Sequence, residues 1–305
     1  MSVSVDNINK FYGKQQVLNN ICFEAKKGEV LGFLGPNGAG KSTTMKIITG
    51  FIAASGGRVL VNGVDVEKHT QTASKLIGYL PESNPLYYDM YVREYLKMSG
   101  NIYGIKRKLN NRIDEILQLT GLVPEAHKKA GQLSKGYRQR LGLAQAILHD
   151  PDVLILDEPT TGLDPNQIVE IRNLIRNIGK EKTVIFSTHI MQEVEAVCDR
   201  AIIINKGKIV ADKSIESLKS MSQNPVQRVE VEFLQNRNTD EIKKITFGKI
   251  IATYNPQHFL IESTVDDDIR IKIFNLAKNN NLTIVTLREE EQHLEEIFRI
   301  ITNKN

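Results

Sequence analysis

The chain has 305 residues, 41% hydrophobic and 25% charged, a globular composition long enough for one large domain and a small one. No apolar run approaches the roughly 18 to 20 residues of a bilayer-spanning helix, and the opening MSVSVDNINKFYGK lacks a signal peptide's apolar segment, so the expectation is a soluble, cytoplasmic protein. The net charge of +4 divides into 28 Lys/Arg against 22 Asp/Glu over residues 1–215 and 12 against 14 beyond, too weak a bias for nucleic-acid binding, and Cys22 and Cys198 stand outside any metal or disulfide spacing.

Residues 29–34, EVLGFL, read as a buried strand. GPNGAGKST follows as a glycine loop, and a helix then ends near Gly50. Through Gly35, Pro36, Asn37, Gly38, Ala39 and Gly40 the loop offers successive backbone amides in a concave nest for oxyanions, because glycine tolerates the required dihedrals and no side chain bars the way. Lys41 is placed for β- and γ-phosphates and Ser42 for Mg²⁺, with Thr43 beside it and the helix dipole behind. G-x-x-x-x-G-K-S between a strand and a helix is a specific signal. A ligand-free turn leaves the lysine and hydroxyls unexplained.

Residues of about 85–150 read as a helical insert, with Leu109, Ile113, Ile116 and Leu117 at helical spacing and Gly121 as a stop. LSKGYRQR, with Ser134 and Gly136, opens a further helix and presents a second anion-facing start. VLILDEP then delivers Asp157 and Glu158 from an apolar strand, whose alternation sends them to opposite sides. Asp157 is assigned to Mg²⁺, through water, and Glu158 to orienting the water that attacks the γ-phosphate. The bland reading of the pair is a turn opener before Pro159. Asp164 and Pro165 form a cap and first position for a helix that places Ile168, Ile171, Ile175 and Ile178 on one face. TVIFSTH and RAIIINKGKIVAD add strands. His189 at the end of TVIFSTH is either a γ-phosphate sensor or an ordinary hydrogen-bonded histidine.

Residues 216–227, polar and interrupted by proline, read as a linker. Residues 228–305 follow the order β, α, β, β, α, β and a closing helix, which suits a small ferredoxin-like α+β domain.

With these motifs in this order, residues 1–215 resemble the ATP-binding subunits of ABC transporters. The resemblance implies an α/β P-loop NTPase of ABC type, with a RecA-like core, an antiparallel β subdomain and the helical subdomain. GPNGAGKST matches Walker A, LSKGY the family signature, VLILDE Walker B, TGLD with Asp164 the D-loop, and His189 the switch histidine. Tyr12 matches the aromatic that stacks on adenine, its alternative being a hairpin aromatic. Two places depart from the usual pattern. Lys135 and Tyr137 stand where glycine and glutamine are usual, and Glu82 stands at the Q-loop glutamine, where an ionised carboxylate accepts but does not donate. Glu82 is kept as a catalytic and metal-facing residue. More narrowly, IGYLPESNPLYYDMYVREYL with LSKGYRQR is similar to the gliding-motility-associated branch.

The resemblance further implies ATP and Mg²⁺ as cofactors and two ATP molecules sandwiched in a head-to-tail homodimer or a heterodimer with a second ABC subunit. Walker A of one subunit faces Ser134 and Gly136 of the other. It implies an integral-membrane permease partner met near Tyr87, Tyr88, Met90 and Tyr91, whose alternative role is helix packing, and a peripheral location on the inner face of the membrane, with no direct nucleic-acid contact. Two rivals remain: a non-transport ABC ATPase acting on a nucleic-acid or ribosomal partner, and a small-molecule kinase sharing the phosphate loop.

Overall fold

Apolar runs unbroken by charge form the interior strands of the protein, seen in a computed structural model that describes residues 1–105, 108–220, 227–236, 249–263 and 268–289. The chain divides into two units, Met1–Ile215 and Glu216–Arg299. In chain order the first contains β1 (Val3–Tyr12), β2 (Gln15–Ala25), β3 (Val30–Leu34), α1 (Lys41–Ile48), β4 (Gly56–Val61), β5 (Val64–Asp65), α2 (Thr70–Leu76) and β6 (Ile77–Leu80). The helical insert follows as α3 (Val92–Ile102), α4 (Leu109–Leu119) and α5 (Lys135–Ile147). The chain then returns through β7 (Val153–Asp157), α6 (Pro165–Gly179), β8 (Thr183–Thr188), α7 (Met191–Val197), β9 (Arg200–Asn205) and β10 (Lys208–Ser214).

Every residue of β3, β7 and β8 is buried, as expected of strands covered on both faces. They lie in a six-stranded sheet of order β10-β9-β3-β8-β7-β6, parallel except for the β9–β10 hairpin. Leu34 lies opposite Thr188 and Asp157 opposite Ser187, so the carboxyl ends of β3, β7 and β8 come together, where open α/β sheets bind ligands. The antiparallel sheet β2-β1-β4-β5 shares a core with α1 and this sheet, in which Phe23 and Phe33 pack at 5.5 Å between ring centres.

Asp164 caps α6 by accepting from Gln167 N at 3.0 Å, with Pro165 in the first turn. Ile171 and Ile175 are buried and Ile168 and Ile178 half-buried, which is the expected face. One expectation needs correction. The stretch read as a linker begins as α8 (Ile215–Ser220), because Ile215 and Leu218, three apart, are both buried and share a helical face.

The second unit holds β11 (Gln227–Phe233), β12 (Lys249–Asn255), β13 (His258–Ser263), α9 (Ile269–Asn279) and β14 (Ile284–Glu289). The antiparallel sheet order β12-β13-β11-β14 and the helix between β13 and β14 suit the split βαβ reading. Phe233, Phe259, Ile261, Ile269 and Ile273 form its core. The helices expected at 238–245 and 293–302 lie outside the described residues.

Candidate functional site

The loop between β3 and α1 needs glycine for packing as well as for open amides. A Cβ on Gly35 would lie 2.4 Å from the Ile204 carbonyl oxygen, and one on Gly40 would lie 2.5 Å from the Leu18 side chain. Gly38 and Gly40 also adopt φ of 79° and 110°, conformations open to glycine and costly for other residues. The loop is thus drawn tight against β9 and β2, and its path turns Lys41 inward at the start of α1. The Lys41 ammonium, 6% exposed, donates to Gly35 O at 2.8 Å and lies 3.4 Å from Glu158 Oε1. A buried cation held by carbonyls and one carboxylate is a ready partner for a polyanion.

The carboxylates do not separate by strand alternation. β7 ends at Asp157, and Glu158 has a left-handed φ of 52°, so a turn in the backbone directs its side chain. Asp157 Oδ1 accepts from Ser42 Oγ at 3.1 Å and from Ser187 Oγ. Glu158 is itself buried, 6% exposed. Its Oε2 takes Thr161 Oγ1 at 3.2 Å and lies 2.9 Å from His189 Nδ1. Both residues stand at the sheet's carboxyl edge, one on the α1 hydroxyl and one between a lysine and a histidine.

A cleft of about 600 Å³ opens over these groups. Among the predicted residues it is lined by Tyr12, Asn37, Gly38, Gly40, Lys41, Ser42, Thr43, Glu82, Glu158 and His189. Tyr12 is 52% exposed at the β1–β2 hairpin, with Lys10 Nζ 5.1 Å from its ring centre, so it is a hairpin aromatic and a wall of the cleft at once. Gly35 and Pro36 lie behind, their carbonyls accepting from Lys41, and Ala39 is buried. Sequence reasoning missed Val17 and Thr161, which also line the cleft, and Ser187, which holds Asp157. For Ser187 the signal was its place two residues before the histidine in IFSTH. Nothing in the sequence pointed to Val17.

Ser134, Gly136 and Asp164 do not reach this cleft. Ser134 is exposed and caps α5, its hydroxyl accepting from Tyr137 N at 3.3 Å. Gly136 is buried where a Cβ would fall 2.2 Å from the Gln167 side chain. Lys135, at the unusual signature position, lies against Gly162 of TGLD, so that a Cβ on Gly162 would come within 1.8 Å of its ammonium. The signature and D-loop segments therefore pack on one another, apart from the phosphate loop of the same chain.

No group of three or more His, Cys, Asp or Glu residues suited to a metal occurs among the described residues. Ser42 and Asp157 nonetheless offer adjacent hard oxygens at the cleft floor and Glu82 another at its wall. Two or three protein oxygens beside an anion nest fit a Mg²⁺ ion that draws its other ligands from phosphate and water.

Residues 18–161 match the family model described as ABC transporter. The chain is 33% identical to the bacitracin transport ATP-binding protein BcrA of Bacillus licheniformis, over 97% of this chain and 95% of that protein. It is 31% identical to the linearmycin resistance ATP-binding protein LnrL of Bacillus subtilis (strain 168), over 99% and 98%. A solved ATP-binding subunit of an ABC transporter superposes with a TM-score of 0.67 at 28% identity, covering 73% of this chain and 93% of that one.

Proposed function

The chain belongs to the ATP-binding subunits of ABC transporters, ATP-hydrolysing proteins that work with membrane permeases, and from that premise we propose that it acts as a Mg²⁺-dependent dimer driving a separate integral-membrane permease. The observation that carries the proposal is Glu158, whose carboxylate sits 3.4 Å from Lys41 Nζ and 2.9 Å from His189 Nδ1 beside a phosphate-binding loop.

In this reading the amides of residues 35–40 and the Lys41 ammonium hold the β- and γ-phosphates, and Tyr12 stacks on the base. Ser42, Asp157 and Glu82 would hold Mg²⁺, which would supply charge neutralisation at the phosphate oxygens. Glu158 orients the attacking water and takes its proton, with Thr161 and His189 fixing the carboxylate. Ser134 and Gly136, turned away from their own cleft, serve the phosphates of a second copy or of a second ABC subunit, with Asp164 beside them. ATP closes the dimer and hydrolysis releases it.

No helix among the described residues is long and apolar enough to cross a membrane, which supports a separate permease. Tyr87, Tyr88 and Tyr91 are 61%, 53% and 44% exposed ahead of α3 and form the permease-facing surface, at the inner face of the membrane. Likeness to transporter subunits over nearly the whole chain supports this over a ribosomal or nucleic-acid partner. The named relatives support a cargo of the antibiotic kind. The resemblance of IGYLPESNPLYYDMYVREYL to the gliding-motility branch supports a motility permease as a second reading.

Affinity capture of tagged Glu158→Gln protein from detergent-solubilised native membranes with Mg²⁺-ATP tests the proposal. A stoichiometric polytopic membrane protein is expected, and its identity separates the cargo readings. Recovery of soluble, ribosomal or DNA-associated partners alone contradicts it.

A further inference from the structure

The Tyr79 hydroxyl in β6 is sealed from solvent and has no hydrogen-bond partner. Such a group is disfavoured unless another state of the protein uses it. In the parallel register Tyr79 lies opposite Ile155, and Asp157 follows two residues later on the same face of β7. That face is the one covered by α1, since Tyr79 packs on the core cluster containing Ile77, Ile155 and Met45. The phenol and the Asp157 carboxylate are thus diagonal neighbours beneath the cleft floor. Burial, then the charges of Asp157 and Glu82, raise the Tyr79 pKa, so the phenol keeps its proton. Among the described residues the Asp157 side chain accepts from Ser42 and Ser187, both at Oδ1. Glu82, unlike the glutamine usual at its position, has no proton to donate when ionised.

We propose that Tyr79 is a positioning residue of the cation site: when the site is filled its hydroxyl donates its one hydrogen bond to the Asp157 carboxylate and so fixes that carboxylate in the arrangement that takes Mg²⁺, beside a residue 82 that, as an ionised glutamate, has no proton to offer. The inference rests on the assignment of Asp157 and Glu82 to that cation.

Tyr79→Phe tests it by removing one oxygen while keeping the ring. Mn²⁺ affinity of the ATP-loaded protein is measured by electron paramagnetic resonance, ATP affinity in EDTA by titration, and the thermal midpoint without nucleotide. Mn²⁺ affinity is expected to fall roughly 10-fold, with ATP affinity in EDTA unchanged and the midpoint unchanged or higher, because a buried unpaired group has been removed. Wild-type Mn²⁺ affinity in Tyr79→Phe overturns the inference. So does an equal loss of ATP affinity in EDTA with a lowered midpoint, the mark of a purely structural tyrosine. Unchanged Mn²⁺ affinity in Asp157→Asn is a different failure: it removes the cation assignment, and the inference with it.

Discussion

His189 Nδ1 lies 2.9 Å from Glu158 Oε2, joining two residues 31 apart in sequence at the mouth of the phosphate-loop cleft. Glu158 is buried and His189 43% exposed, so the histidine is the member of the pair that meets an incoming ligand. His189→Ala is expected to lower kcat roughly 10- to 100-fold while ATP affinity changes much less, because it frees the carboxylate that orients the water. Steady-state kinetics together with direct ATP titration check the split.

Lys41→Ala is expected to weaken ATP binding roughly 10- to 100-fold, the range for one hydrogen bond to a charged group. The ammonium is already desolvated and aimed by the Gly35 carbonyl, so little ordering remains to be done on binding. Calorimetric titration gives the number directly.

Gly40→Ala combines a φ of 110° with a Cβ 2.5 Å from the buried Leu18 side chain. A loss of about 1–3 kcal/mol in unfolding free energy is expected from the backbone strain, increased by the clash. Gly13→Ala is the control: its φ is 57° and a Cβ there meets nothing within 4 Å, so only the left-handed cost of about 1–2 kcal/mol applies. Urea unfolding monitored in the first unit separates the two.

His149 stacks on Tyr103 at 3.8 Å between ring centres, and its Nε2 contacts Ile77 O at 3.1 Å. Burial pushes its pKa from 6.5 down to about 4, against the opposing pull of the Ile77 bond and Asp150. Between those values the unfolded chain binds the proton and the folded one does not, so stability is lost as the pH falls through that window. His149→Phe keeps an aromatic ring for the stack and removes this titration. Its stability relative to wild type should therefore improve on going from pH 7 to pH 4, as denaturant midpoints at the two pH values would show.

The phosphate loop was legible because its chemistry is contiguous: glycines, lysine and hydroxyl follow one another and act through backbone close to them in sequence. Asp157 and Glu158 were legible as a pair but not in geometry. Alternation holds only inside a strand, and β7 stops at Asp157 while the left-handed backbone of Glu158 re-aims the second carboxylate. Ser187 could be placed only once the β7–β8 register was known. The buried Glu193 of α7 accepts from Thr188 at the end of β8, five residues away, and from Thr160 beyond β7, and only the second of these needed the fold to be found. The turn of α8 was hidden by a polar composition in which, among the residues whose side chains are described, Ile215 and Leu218 carry the burial. Walker-type motifs report local chemistry; the partners that hold them come from sheet register.

Single-turnover release of phosphate from ATP bound to Glu158→Gln tests the central assignment most directly. The substitution keeps the side chain's shape and leaves Lys41 and the loop to bind nucleotide, so ATP should bind as tightly as before while phosphate release slows roughly 10²- to 10⁴-fold. Release at the wild-type rate from fully bound ATP would show that another group orients the water, and the role given to Glu158 would be lost.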